Sequence, residues 1–275
     1  MQDASEVLSL LLTQLKESLE HLGSPNIVTS TFYYEIEERF KCMECKNIDK
    51  KRKIDLSIWC DPDMLGQTDI SIQDLIKGSF KAEKLEKKCI KCTSKYAEVK
   101  NSITQLPSTF IIYLKRHKYS NEKRRIVKIK TKVVITPTIT VASLVGESVK
   151  APKELSEQDL YTNLSLQEDR GHTSLPLPKR MRFSDQHSGE ATLPVNGDSY
   201  QYQLQSIVSH QGPTATSGHY VADVFRFDVG DWVNYNDSKV TRTSLETVTL
   251  GSNRDNCYIL SYLHRPLWNK MIRGK

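Results

Sequence analysis

The sequence predicts an α+β domain, on three observations. One long amphipathic helix opens the chain, a succession of short strand-like runs follows it, and two Cys-x-x-Cys pairs lie among those runs.

The helix covers residues 3–22. Asp3 followed by Glu6 has the form of a capping box, in which side chains satisfy free N–H groups at the helix start. Leu8, Leu11, Leu12, Leu15, Leu19 and Leu22 recur on one side at helical spacing, and Gly23 and Pro25 end the helix. Residues 32–59 hold a strand pair around Cys42-Met43-Glu44-Cys45, with Ile54, Leu56 and Ile58 alternating up to Cys60. A further strand and a short helix at residues 71–77 fill the gap to Cys89-Ile90-Lys91-Cys92. Residues 106–116 begin at the turn marked by Pro107 and become a largely apolar central strand. Residues 124–135 alternate basic and apolar side chains, as an exposed strand does; a solvated sheet face is a better reading of them than a nucleic-acid face.

From residue 141 to 198 Pro, Ser, Glu, Gln and Gly accumulate and periodicity fades, the composition of a disordered insertion. Alternation returns with Tyr202, Leu204, Ser206 and Val208. Residues 209–237 then read as a Gly/Pro/Ser/Thr-rich loop, a strand, a turn at Asp228-Val229-Gly230-Asp231, and a second strand. A last strand at residues 257–263 closes the sheet, and Trp268 packs beyond it.

Composition narrows the class. At 275 residues there is room for one large domain or two small ones, and 38% hydrophobic residues support a core. The net charge of +6 is spread as solvated surface, without the Lys/Arg stripe interleaved with aromatics that marks a nucleic-acid face. No run approaches the ~20 apolar residues of a membrane span, and no signal-peptide pattern opens the chain. Six cysteines without an export signal argue for metal binding over disulfides and for a reducing compartment, cytoplasm or nucleus.

Two stretches carry chemistry. Cys42, Cys45, Cys89 and Cys92 form two knuckles, each offering two thiolates, and together they match a tetrahedral four-cysteine zinc site. Lys41, Lys46, Lys87, Lys88 and Lys91 would soften its negative charge. The alternative is four free or redox-active thiols. The second stretch is the hairpin of residues 209–237, which brings His219 at one end beside Asn236 and Asp237 at the other. An imidazole beside an amide or carboxylate is the base-and-orienter half of a nucleophilic site. The remaining thiols, Cys60 and Cys257, lie in apolar strand contexts and read as structural.

Gly218-His219-Tyr220 followed by Trp232-x-x-Tyr235-Asn236-Asp237 resembles the histidine box of the ubiquitin-specific proteases, the cysteine deubiquitinases. Gln2-Asp3-Ala4-Ser5-Glu6-Val7 is similar to that family's Gln-Asp-Ala-His-Glu-Phe helix start, with Ser5 in place of His and Val7 in place of Phe. The strand ending Leu114-Lys115-Arg116 and the two knuckles also fall in family order. Tyr113 and His117 stand where the family more often has His and an aromatic, so His117 reads as a strand-end residue. The resemblance spans residues 1–140 and 199–265. It implies a papain-like cysteine-protease domain, here incomplete, made of a helix, zinc fingers and a palm β-sheet. It further implies that His219 is the general base, Asn236 its orienter and Asp237 a polar support. The zinc is structural, and ubiquitin or ubiquitinated proteins are the partners.

In the family the catalytic cysteine lies upstream of this helix start, and no such segment stands here. The resemblance therefore implies an inactive deubiquitinase relative that still binds ubiquitin, or a piece of an active one. Within the insertion, residues 157–166 faintly resemble a ubiquitin-interacting helix, with Asn163 where a small residue is required. Residues 179–182 have the composition of a short nuclear import signal.

Overall fold

The computed structural model describes residues 3–22, 27–64, 66, 69–122, 124–153, 197–214 and 217–273. The helix end at Gly23 and Pro25, the helix-like stretch 157–166 and the basic cluster 179–182 lie outside them.

Helix α1 (Ala4–His21) begins where expected. Asp3 caps it, its carboxylate accepting from the Ser5 amide at 2.7 Å and the Ser5 hydroxyl at 2.6 Å. α2 (Ile27–Phe32) follows and leads into a β-rich body. The strands are β1 (Tyr34–Cys42), β2 (Ile48–Asp55), β3 (Ser57–Cys60) and the two-residue β4 (Ile70–Ser71). Ser71 then caps α3 (Ile72–Ser79), its hydroxyl accepting from the Asp74 amide. Next come β5 (Glu83–Glu86), β6 (Tyr96–Gln105), β7 (Thr109–Leu114), β8 (His117–Ser120), β9 (Arg125–Lys128), β10 (Val133–Val134), β11 (Thr138–Thr140) and β12 (Val145–Lys150). After a 3-10 turn at Gly197–Tyr200 come β13 (Gln201–Gln211), β14 (His219–Arg226), β15 (Asp231–Asn236) and β16 (Lys239–Thr243). Short helices α4 (Leu245–Thr249) and α5 (Asn253–Asn256), strand β17 (Cys257–His264) and helix α6 (Arg265–Arg273) complete the described chain.

Two sheets dominate. The fingers sheet has the order β12-β6-β1-β2, with β5 also paired to β6. The palm sheet runs β16-β15-β14-β13-β17-β7-β3, with β11 added beside β13. Every residue of β7 is buried, as its apolar run predicts. One palm face meets α3 and the base of the fingers. There Phe110, Ile112, Tyr202, Leu204, Leu260 and Tyr262 join Ile72, Leu75 and Ile76 in one core. A large side chain sealed this way contributes about 1.5–3 kcal/mol. The buried phenols stay satisfied, Tyr202 donating to the Pro107 carbonyl and Tyr262 to that of Thr136. The other palm face receives α1 and α2 through Leu12, Val28, Ile111, Tyr113, Tyr258 and Ile259.

Four expectations need correction. Residues 141–150 do not belong to an insertion: β12 pairs with β6, and Val141, Leu144 and Val149 are buried in the main core. Spaced apolar residues among Ser, Gly and Glu gave too weak a period to read as strand. β17 does not close the sheet; it runs at its centre, between β13 and β7. Trp268 packs against β14 rather than beyond the last strand, its ring 4.6 Å from Phe225 and 4.9 Å from Phe227. Nor is the leucine stripe of α1 wholly in the core. Leu12 is buried and Leu8 and Leu19 pack against it, whereas Val7, Leu10, Leu11, Leu15 and Leu22 are each about half exposed or more. Among the described residues no helix is long and apolar enough to cross a membrane.

Candidate functional site

His219 is the first residue of β14 and Asn236 the last of β15, and antiparallel pairing of these strands closes the distance between them. Asn236 Oδ1 lies 2.6 Å from His219 Nε2. An amide oxygen can only accept, so Nε2 carries the proton and Nδ1 is left with the bare lone pair. That is the tautomer a general base requires. The Asp237 carboxylate stands 3.7 Å from the same Nε2. Asp237 has φ 51° and, with Ser238, makes the two-residue turn from β15 into β16. A positive φ is tolerated by Asp, and this turn fixes where β15 stops and therefore where Asn236 points.

The approach to His219 is closely packed. A Cβ on Gly218 would lie 2.5 Å from His210 Nε2 and 2.6 Å from the Gln211 carbonyl oxygen. Gly212 faces the Ser217 carbonyl oxygen just as closely. Gly218→Ala should therefore push the start of β14 off His210. We expect roughly 2 kcal/mol of destabilisation and a changed His219 ring environment, read by denaturant unfolding and imidazole NMR. An unchanged imidazole spectrum would show that the strand start is not set by this contact.

Beneath that glycine lies a group of side chains that no sequence pattern marked. His210 is 1% exposed, and neither of its ring nitrogens has a hydrogen-bond partner. It packs between His117 and Tyr220, with ring centroids 5.4 and 4.9 Å away. Burial pushes its pKa down to about 4, and the Lys128 ammonium adds to the shift, so the ring is neutral. Asp3 links this group to α1, accepting from the Tyr258 hydroxyl at 2.5 Å, while Tyr220 Oη accepts from the Ala4 amide. His117 does open a strand, as expected, but it also faces Asp3 at 3.9 Å. Lys128 fastens the end of β13, donating to the carbonyls of His210 and Gly212 and to Asn256 Oδ1. On the palm's other side Asp223 accepts from the side-chain amides of Asn234 and Asn253, tying β14, β15 and α5 together.

The cysteines divide as their contexts suggested. Cys60 is fully buried, accepts from the Ser79 hydroxyl, and burial raises its thiol to about 12. Cys257 is fully buried against Arg116, and desolvation likewise raises its thiol. Among the described residues no thiol hydrogen-bonds His219.

The other four cysteines converge. β1 and β2 make one hairpin, β5 and β6 another, and β1 pairs with β6 so that Cys42 lies opposite Ala97. Both hairpin tips thus meet at one end of the fingers, which is how two knuckles so far apart in sequence come together. All four Sγ atoms lie within 4.8 Å of one another, with Cys42–Cys92 and Cys45–Cys89 each at 3.6 Å. Tetrahedral Zn–S bonds of about 2.3 Å require S···S separations near 3.8 Å, so the cluster is compatible with zinc. Its electrostatics agree. Desolvation works against the Cys42 thiolate, but the amides of Cys45 and Glu44 and the neighbouring sulfurs outweigh it and bring the thiol down to about 6. The Ser94 amide favours the Cys92 thiolate, but burial and the three neighbouring sulfurs override it and hold the thiol up at about 12. Thiolates this close repel one another, and a divalent cation relieves that.

The family model of ubiquitin carboxyl-terminal hydrolases matches residues 1–262. The chain belongs to this family. Ubiquitin carboxyl-terminal hydrolase 37 of Sus scrofa is 32% identical over 177 residues, which are 56% of this chain and 18% of that protein. Ubiquitin carboxyl-terminal hydrolase 9 of Saccharomyces cerevisiae is 24% identical over 267 residues, 90% of this chain and 28% of that protein. The chain thus spans less than a third of the length of these relatives. Among solved structures, the SAGA Ubp8/Sgf11/Sus1/Sgf73 DUB module bound to ubiquitin aldehyde superposes with a TM-score of 0.67 at 21% identity, over 96% of this chain and 50% of that one. That likeness shows the fold, a ubiquitin-specific protease domain with its fingers and palm.

Proposed function

We propose that this chain is the ubiquitin-holding, base-bearing part of a deubiquitinase domain, and that by itself it does not hydrolyse ubiquitin conjugates. One observation carries the reading: an oriented imidazole, His219 with Asn236 at 2.6 Å, to which no thiol among the described residues hydrogen-bonds. In this family's chemistry a cysteine thiolate attacks the carbonyl of the ubiquitin C-terminus, and the imidazole takes and returns the proton. Here His219 Nδ1 is the free base, Asn236 fixes the ring, and Asp237 is a neighbouring polar support. Cys60 and Cys257 are sealed in the core as neutral thiols, and water attack with His219 alone forgoes covalent catalysis. Cys42, Cys45, Cys89 and Cys92 hold a structural zinc; with four protein ligands it has no open position for catalysis. The fingers it braces cradle the body of ubiquitin.

The test is incubation with ubiquitin bearing a thiol-trapping electrophile at its C-terminus. We expect no adduct, together with saturable ubiquitin binding by NMR titration. An adduct that disappears on His219→Ala would overturn the inactive reading, and absence of any ubiquitin contact at millimolar concentration would overturn the binding one.

The exposed flank of α1 favours a second reading. Val7, Leu10, Leu11 and Leu15 offer a contiguous apolar strip to whatever further lobe carries the nucleophile, so that the base and a thiol work in one joined domain. Supplying the corresponding lobe of a relative would then restore adduct formation that depends on His219.

A further inference from the structure

Strand β2 is the outer edge of the fingers sheet, paired with β1 on one side and, among the described residues, with nothing on the other. At eight residues it is a long edge, about 26 Å. Its middle reads Lys50-Lys51-Arg52-Lys53, four cations in succession. A strand sends alternate side chains to opposite faces, so Lys50 and Arg52 line one face while Lys51 and Lys53 line the other. Within the chain, Lys50 pairs with Glu37 at 2.9 Å, and Lys53 with Glu38 at 3.3 Å and Asp55 at 3.5 Å. Lys51 and Arg52 are exposed; Glu38 and Glu37 stand opposite them in the register, but among the described residues neither cation closes an ion pair within 4 Å. Ile48 and Ile54 bracket the four, 40% and 62% exposed, on the same face as Lys50 and Arg52.

We propose that β2 is a docking edge for an extended acidic protein segment, which adds to the fingers sheet as a further strand. Three features select that occupant. The open backbone edge supplies a row of N–H and C=O groups, which a strand completes and a nucleic acid does not. Cations on both faces match a partner strand that is acidic on both faces, since directly opposite pairs of unlike charge stabilise a ladder and like pairs oppose it. The two exposed isoleucines give that strand apolar contacts at its ends. Lysines on an edge also guard against pairing between copies. Here the guard and the recognition are one device: the edge repels its own kind and admits an acidic strand. The surface lies on the fingers sheet, whereas His219 belongs to the palm sheet, so the peptide is read apart from the imidazole chemistry.

The probes are three fluorescein-labelled ligands of equal length, offered to the full zinc-loaded chain. They are a peptide repeating Glu-Glu-Thr-Thr, which as a strand carries acid on both faces, the same peptide with Pro at every third position, and a single-stranded oligothymidylate. Anisotropy should show the Glu/Thr peptide binding at least tenfold more tightly than either of the others. Binding should weaken at least tenfold in Lys51→Glu/Arg52→Glu, and hydrogen exchange of the β2 amides should slow on binding. Both substituted residues are exposed, and unchanged unfolding and zinc content verify that the variant is folded; Lys51→Ala/Arg52→Ala serves if it is not. Equal binding of the Pro-interrupted peptide would reduce the surface to a charge patch and overturn strand addition. Tighter binding of the oligothymidylate, or no peptide binding, would overturn the assignment of the partner.

Discussion

Removing zinc should unfold the fingers and leave the palm standing. With Cys89→Ser, or after chelation, we expect the zinc content to fall from one ion per chain towards none. Amide protection should then be lost at the two hairpin tips, around Cys42–Asn47 and Cys89–Ser94. The geometry says why the effect is large. The tips are held by few bonds of their own: the Cys42 amide to the Asn47 carbonyl at 2.8 Å, the Met43 amide to that of Tyr96 at 3.1 Å, and the Cys89 amide to that of Ser94 at 2.9 Å. Lys46 sits at φ 60° to complete the first turn. Little apolar surface compensates, for Met43 and Tyr96 are nearly half exposed and Ile90 is 81% exposed. Such a tip is a weak fold without its ion, whereas binding by a four-thiolate site is worth about 10 kcal/mol or more. The palm core has no share in that coupling, so protection at Ile112 and Leu260 should persist. Hydrogen exchange with and without chelator reads both regions at once. Unchanged tip protection in a metal-free protein would remove the zinc assignment.

Local rules carried the sequence reading a long way and then stopped at non-local contacts. Asp3 and the turn before Trp232 announce their elements through capping and turn chemistry, and the structure places those elements accordingly. The site hairpin was legible for the same reason, since a strand–turn–strand returns its own ends to one another. Its continuation was not: the Asp237-Ser238 turn lacks the glycine that advertises a two-residue loop, and exposed β16 has no apolar alternation. The convergence of Cys42 with Cys92 depends on β1 pairing with β6, a register that no local pattern contains. The packing of His117, His210 and Asp3 has the same origin. Three residues from three segments meet because the start of β8, the end of β13 and the cap of α1 come together, and only an arrangement in space reveals it.

Arg116→Met should be among the most damaging substitutions outside the zinc cluster, although the sequence shows Arg116 only as the end of the Leu114-Lys115-Arg116 strand. Its side chain is 1% exposed and has no carboxylate partner among the described residues. Carbonyl oxygens surround it instead. Nε donates to Cys257 at 2.7 Å, one terminal nitrogen to Ile129 and Thr131 at 3.1 and 2.9 Å, and the other to Arg254 at 2.9 Å. One guanidinium thus joins the end of β7, the β9–β10 link and the α5–β17 junction. Methionine would fill much of the volume but take the donor from four carbonyl oxygens, those of Thr131 and Arg254 only part-buried, at about 1–3 kcal/mol each where water cannot reach them. Partial rehydration lowers the sum, and we expect a loss of about 4 kcal/mol, a large share of the ~5–15 kcal/mol that holds a domain together. Arg116→Lys keeps the charge without the planar fork and should recover no more than half of it. The damage should also travel, since Cys257 is registered against Ser209, next to the buried His210 on which Gly218 rests. Urea unfolding measures the loss, and the His219 imidazole resonances report its reach. A loss below about 1 kcal/mol for Arg116→Met would mean that water replaces the guanidinium at all four carbonyls.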